Sequence, residues 1–256
     1  MPSSELSEQA VREIVEAPVT GLPGRTPREQ IIEEKPDNGG RDKEPVFLID
    51  ISASNGEAAS PDSPMTKQQL LLTAIPLATG KLAGDDSQAK SEEGTGKGGV
   101  RSYAFNEPCE FEDYDEEEAE FGDTRDLKDV SEANVQESLG NAPWGGRTYI
   151  MPAIHAAEKA FQGEFSSIAM RKRPTMEVVI WTDGKLNDEA DFEEWLAQAD
   201  EFCVVGVAVV GYGPGHDAAV SSYKRLAAKN KYISVVALTG VSDPAEIALD
   251  VQLMAA

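Results

Sequence analysis

The chain is poor in cysteine, histidine and basic residues, and it lacks any long apolar run. Two cysteines in 256 residues build no disulfide framework, and no zinc-ligand spacing surrounds them. Cys203 opens a strongly apolar segment and reads as a small buried hydrophobe, while Cys109 lies in a polar, acidic stretch. The two histidines, His155 and His216, have no cysteine or second histidine at ligand spacing. His155 falls inside a helical pattern and reads as structural. No G-x-S-x-G elbow occurs, so Ser-His-Asp catalysis finds no support. No apolar stretch approaches the roughly 20 residues needed to span a bilayer. The first residues, MPSSELSEQAVREIVEA, carry acids and no apolar h-region, unlike a secretory signal. Together these absences predict a cytoplasmic protein that does not engage a membrane.

Positive charge is scarce as well. Lys and Arg total 23 against 46 Asp and Glu, for a formal charge of −23. Binding to a nucleic-acid backbone needs clustered Lys and Arg, so this balance argues against nucleic acid as a partner. The acids are unevenly spread. Residues 106–140 hold fourteen acids and two bases, about half the net charge. This stretch reads as a solvated acidic surface, with a docking face for a basic partner as the sharper alternative. Asp113-Tyr114-Asp115-Glu116-Glu117-Glu118 lacks the glycine and spacing of an EF-hand loop, so no specific calcium site is predicted there.

Apolar residues make up 40% of the chain, enough for one sizeable core. Residues 1–44 stand apart. Ser7 to Ala17 has the pattern of a short helix, followed by Pro18, Gly21, Pro23, Gly24, Pro27, Pro36 and Gly39-Gly40 among charges. Such composition reads as an arm or linker. Residues 45–256 then alternate strand and helix. Pro45 to Ile51 is apolar on both faces, as central parallel strands are. Met65 to Leu82 reads as a largely buried helix, capped by Ser63-Pro64. Val100 to Phe105 is a second strand, and Glu107 to Tyr114 a short antiparallel edge strand whose acids guard an open edge. Ser131 to Leu139 is a predicted helix. Further strands follow at Glu177–Thr182, Val204–Val210 and Ile233–Leu238. The helices between and after them run through Ile150, Ile154, Ala157 and Phe161, through Phe192, Trp195, Leu196, Ala199 and Phe202, over Ala218–Lys229, and after Asp243-Pro244. The pattern predicts an α/β fold: a Rossmann-like, doubly wound, mainly parallel sheet with one short antiparallel edge strand and helices on both faces. Ligands of such sheets bind outside the carboxyl ends of the strands.

Asp50-Ile51-Ser52-Ala53-Ser54 follows the first strand and sets three oxygen ligands on one short arc. Hard oxygens of this kind suit magnesium. Gly145-Gly146-Arg147-Thr148 offers a hydroxyl on a flexible turn before a helix. Thr182-Asp183-Gly184 ends a second apolar strand in an aspartate. In order and spacing the three segments resemble the von Willebrand factor type A (vWA) domain with its metal-ion-dependent adhesion site (MIDAS), of the bacterial cytoplasmic type. The resemblance spans roughly residues 45 to 254. It implies that Ser52, Ser54 and Thr148 supply inner hydroxyls to Mg2+ or Mn2+, and that Asp50 and Asp183 supply charge. It further implies a protein–protein binding module without catalysis, in which a partner's Asp or Glu completes the ion's shell. AAA-type ATPases and stress-resistance complexes are the partner classes it suggests. Asn55 and Gly56 shape the turn after the motif. Arg147 stands where the family usually has glycine, and pairs with a nearby acid or steers an acidic partner.

Other readings are weaker. Asp50-x-Ser52 lacks the second aspartate of haloacid-dehalogenase-type phosphatases, so a phosphatase or other hydrolase is disfavoured. Gly94-Thr95-Gly96-Lys97-Gly98-Gly99 places Gly98 where a phosphate loop needs Ser or Thr, and no apolar strand precedes it. Gly211 to Gly215 lacks dinucleotide-site spacing. The remaining alternative is a structural component of a large assembly, such as a virion or secretion particle, docked through the N-terminal arm and the acidic face.

Overall fold

The computed structural model describes residues 42–62, 64–78, 101–106, 125–126, 139–142 and 144–238. Five strands run parallel: β1 (Lys43–Asp50), β2 (Arg101–Phe105), β4 (Thr175–Thr182), β5 (Cys203–Val210) and β6 (Ile233–Leu238). The two-residue β3 (Arg125–Asp126) pairs antiparallel with β2 at one edge. The sheet order is β3-β2-β1-β4-β5-β6. Residues 67–78 (α1), Met151–Phe165 (α2), Glu189–Ala197 (α3) and Pro214–Ala227 (α4) are helical.

Successive side chains of a strand point to opposite faces, and here both faces are buried. Phe47, Ile49, Val179, Trp181, Ala208 and Val210 pack against Leu70, Leu71, Ala74 and Ile75 of α1. Their neighbours Val46, Leu48, Val178, Ile180, Val205, Val207 and Val209 pack against Ile154 and Ala157 of α2, Phe192 and Leu196 of α3, and Tyr223 of α4. This double burial is why the strands read as unbroken apolar runs. Phe192 meets the Tyr223 ring edge-on at 5.5 Å. Trp195 Nε1 donates to Glu158 Oε1 at 2.8 Å and ties α3 to α2.

Element boundaries shift in instructive places. β1 begins at Lys43, two residues before the predicted strand, because Lys43 and Glu44 pair with Thr175 and Met176. The Lys43 ammonium meets Glu177 Oε1 at 2.8 Å, an ion pair across strands that hydrophobic patterning does not register. α4 starts at Pro214, four residues earlier than predicted. Pro214 takes its first turn, with Asp217 there and Lys224 and Arg225 in its last; each charge suits the helix dipole. The predicted edge strand over 107–114, the helix over 7–17, the last helix after Asp243-Pro244 and most of the arm and acidic stretch lie outside the described residues, as does all of the helix predicted over 131–139 except Leu139, which is helical. Cys109 lies outside them too. Cys203 is partly exposed at the start of β5. Burial, aided by Glu158 and Asp200, pushes its thiol up to about 12, which disfavours the thiolate that nucleophilic chemistry needs. No helix among the described residues is long and apolar enough to cross a membrane.

β1 and β4 are neighbours, and from β1 the chain proceeds first to one side of the sheet and later to the other. The crevice at their carboxyl ends is therefore the topological switch point, where open α/β sheets bind ligands.

Packing at the central strand predicts a sharp contrast. Leu48→Ala, at a fully buried position, should lower unfolding free energy by about 2–5 kcal/mol. Met170→Ala, with Met170 exposed, should stay within about 0.5 kcal/mol. Chemical denaturation of the two variants checks this.

Candidate metal centre at the switch point

Three loops meet at this crevice. The first leaves β1 through Asp50, whose side chain is wholly buried. Ser52 N–H donates to Asp50 Oδ1 at 2.9 Å, and the chain then turns through a short 3-10 segment, Ala53–Gly56. Asn55 Nδ2 donates back to the Asp50 carbonyl at 3.0 Å and to Asp50 Oδ1 at 3.2 Å. Asn55 thus closes the turn, the role read for it in the sequence. Both its bonded partners are acceptors, which fixes the amide's orientation. Asn55 Oδ1 is left as a buried acceptor without a donor among the described residues. The hydroxyl oxygens of Ser52 and Ser54 stand 3.1 Å apart.

The second loop leaves β4. Thr182 Oγ1 donates to Asp50 Oδ2 at 2.9 Å and accepts from Gly184 N–H at 3.0 Å. It joins the ends of the two central strands and tightens the turn that carries Asp183. Gly184 adopts φ +91°, and a Cβ there would lie 2.6 Å from the Cβ of Ala219. Only glycine fits. Asp183 is buried, and its Oδ1 accepts from Lys185 N–H at 3.2 Å.

The third loop carries Thr148, which is buried. Gly145 and Gly146 both have positive φ, which frees their backbone to reach across. Gly145 N–H donates to the Ile51 carbonyl at 2.9 Å, and the Gly146 carbonyl accepts from Ala53 N–H at 3.1 Å. On its other side the loop is held by Asn187. Asn187 Oδ1 accepts from Thr148 N–H at 2.9 Å, and Asn187 N–H donates to the Thr148 carbonyl at 2.7 Å. Asp188 accepts from the N–H groups of Ile150 and Met151, satisfying orphan donors at the start of α2. Arg147 is exposed. The structure therefore brings the loops of Asp50, Ser52, Ser54, Thr148 and Asp183 to one place.

Sequence reasoning missed three residues of this site, Lys67 foremost. Lys67, at the start of α1, inserts its ammonium between the first two loops. Lys67 Nζ lies 3.0 Å from Asp183 Oδ2, 3.0 Å from Glu57 Oε2 and 3.3 Å from the Ser54 carbonyl. Burial works against its charge, but Asp183 and Glu57 outweigh that and hold the ammonium above the usual lysine range. Read as a sequence, Lys67 is one polar residue at the head of an apolar helix, and nothing distinguishes it from a solvated surface lysine. Asn187 and Asp188 were missed too, although their position four and five residues after Asp183 places them on the same loop.

The oxygen set is distinctive. Among the described residues no group of three or more His, Cys, Asp or Glu stands at metal-binding spacing. The donors on offer are two carboxylates and a set of hydroxyls. Ligands on adjacent vertices of a magnesium octahedron, with bonds of about 2.0–2.1 Å, lie about 3 Å apart. The Ser52 and Ser54 hydroxyls match one such edge.

No family model and no curated protein matches the sequence. Solved structures do. The VWA domain of SpRpn10 superposes with a TM-score of 0.52 at 9% identity, over 82% of this chain and 94% of that one. The described residues adopt the von Willebrand factor type A fold. Similar too are a von Willebrand factor type A protein from Catenulispora acidiphila (TM-score 0.48, 18% identity, 84% of this chain and 42% of that one) and manganese-loaded TRAP protein from Plasmodium vivax (TM-score 0.47, 15% identity, 78% and 70%). The chain thus spans less than half the length of the Catenulispora protein. In this fold, Asp50 and Asp183 stand at the carboxyl ends of β1 and β4, at the switch point.

Burial, with Asp183 nearby adding to it, raises the Asp50 carboxyl to about 6. A carboxyl raised above its unfolded value of 3.8 binds its proton more tightly when folded. Its ionisation therefore opposes folding above about pH 6, and that opposition fades as pH falls from 6 toward 3.8. In chelator, the Asp50 carboxyl carbon followed by NMR should titrate with a midpoint near 6, and Asp50→Asn should abolish the transition.

Proposed function

We propose that this chain is a metal-dependent protein–protein binding module. Ser52, Ser54 and Thr148 would hold Mg2+ or Mn2+ through their hydroxyls, with Asp50 and Asp183 supplying negative charge around it. A partner protein's Asp or Glu would complete the shell. The observation that carries this reading is the convergence of three chain-distant loops on the crevice between β1 and β4, with paired hydroxyls 3.1 Å apart beside two buried carboxylates.

The chemistry follows from the donor set. Bound there, the ion supplies a Lewis-acidic, positively charged centre. Neutral hydroxyls in direct contact would leave the ion's charge to be met only from farther away, by Asp50 and Asp183, so an outside carboxylate is attracted to it. Asp50 is fully engaged by Ser52, Asn55 and Thr182, which keeps its charge fixed at the base of the crevice. Asn55 Oδ1, buried and without a donor among the described residues, would accept a hydrogen bond from water entering with the ion. The proposed role is recognition, without catalysis.

Manganese binding measured by electron paramagnetic resonance tests the site. Wild-type protein should bind one Mn2+, and Ser52→Ala, Ser54→Ala or Thr148→Ala should each weaken it at least about tenfold, since losing even a residue that only supports a ligand costs about 10–100-fold. A partner retained from lysate in Mg2+ should elute in EDTA and fail to bind the Ser54→Ala protein. Undiminished retention in EDTA would contradict metal-dependent recognition.

A further inference from the structure

Lys67 has an unusual position. Lysine is almost never buried without a partner, yet this side chain is 6% exposed and contacts an Asp183 side chain that is 0% exposed. Three acceptors, on Asp183, Glu57 and Ser54, match the three protons of its ammonium. The charge also sits in the first turn of α1, where the helix dipole disfavours a cation. Helix stability therefore does not account for it. The surroundings are shaped to admit it. Gly211 has φ +136°, and a Cβ there would crowd Lys67 Cε at 3.2 Å. The Lys67 N–H also donates to the Glu57 carbonyl at 2.9 Å, which pins the head of α1 to the first loop. Lys185 Nζ stands 3.9 Å from Glu57, but on an exposed side chain.

We infer that Lys67 is a built-in counter-cation of the crevice, which keeps the divalent ion weakly held until a partner's carboxylate arrives. The inference rests on the proposed metal site. Asp50 and Asp183 alone would balance a divalent ion. With the Lys67 ammonium against Asp183, the buried groups offer the ion only one net negative charge; Glu57, which also meets Lys67, is 59% exposed and its charge is screened by solvent. Ion and lysine also repel each other. An acid from a partner restores the balance, so ion and partner bind cooperatively. Without ion, the same ammonium compensates Asp183 and holds the Ser54 loop against β4, so the crevice stays assembled.

Mn2+ alone is the probe, with affinity read by electron paramagnetic resonance and stability by thermal melting in EDTA. Lys67→Met keeps the length and drops the charge. It should tighten Mn2+ binding about tenfold or more, the order expected for removing a unit charge a few ångströms from a divalent ion. It should also melt lower in EDTA and gain more from added Mn2+ than the wild type does. Lys67→Arg, which keeps the charge, should bind Mn2+ as the wild type does. Should Lys67→Met not fold, Lys67→Gln provides the same uncharged comparison. A merely structural lysine would give weaker binding on removal. Wild-type protein that binds Mn2+ alongside an uncharged variant that binds it equally or more weakly overturns this inference alone. Wild-type protein that binds no Mn2+ overturns the metal reading, and this inference with it.

Discussion

The architecture of the crevice depends on one buried carboxylate. Asp50 ends the central strand at a point sealed from water, where an ion without partners would be costly. Its two oxygens are taken up by Ser52 N–H and Asn55 on its own loop and by the Thr182 hydroxyl on the neighbouring strand. These bonds convert an electrostatic liability into a joint. They hold the serine loop closed, lock the ends of β1 and β4 together, and orient the turn that presents Asp183.

Around that joint, support comes from groups outside the proposed set of metal ligands. Asn187 clamps both backbone groups of Thr148. Asp188 caps the start of α2 from outside that helix. Gly184 lets the Asp183 turn pass α4 where any Cβ would collide with Ala219. Such second-layer contacts position ligands within the narrow tolerances that a site needs. Lys67 belongs to this layer by geometry, but it differs in bringing charge into the crevice.

Much of this was legible in one dimension because the relevant signals are local. Double burial makes a central parallel strand an unbroken apolar run, so β1, β4, β5 and β6 stand out, and an aspartate at the end of such a run is conspicuous. The helices of the second half carry regular apolar stripes, as at Phe192 and Leu196. What was not legible involves partners far apart in the chain. Lys43 extends β1 through Glu177, and Asn187 matters only because Thr148 lies beside it. Lys67 and Asp183 are separated by 116 positions, and no pattern along the chain links them.

The amino-acid sequence by itself determined the alternation of strands and helices, the parallel sheet, and the placement of Asp50 and Asp183 at strand ends, because periodicity and burial act over a few residues. Tertiary structure alone decided which loops meet, how Asp50 is satisfied, and that a lysine ammonium enters the crevice. Those outcomes depend on the order of strands across the sheet and on distances through space, which spacing along a chain does not encode.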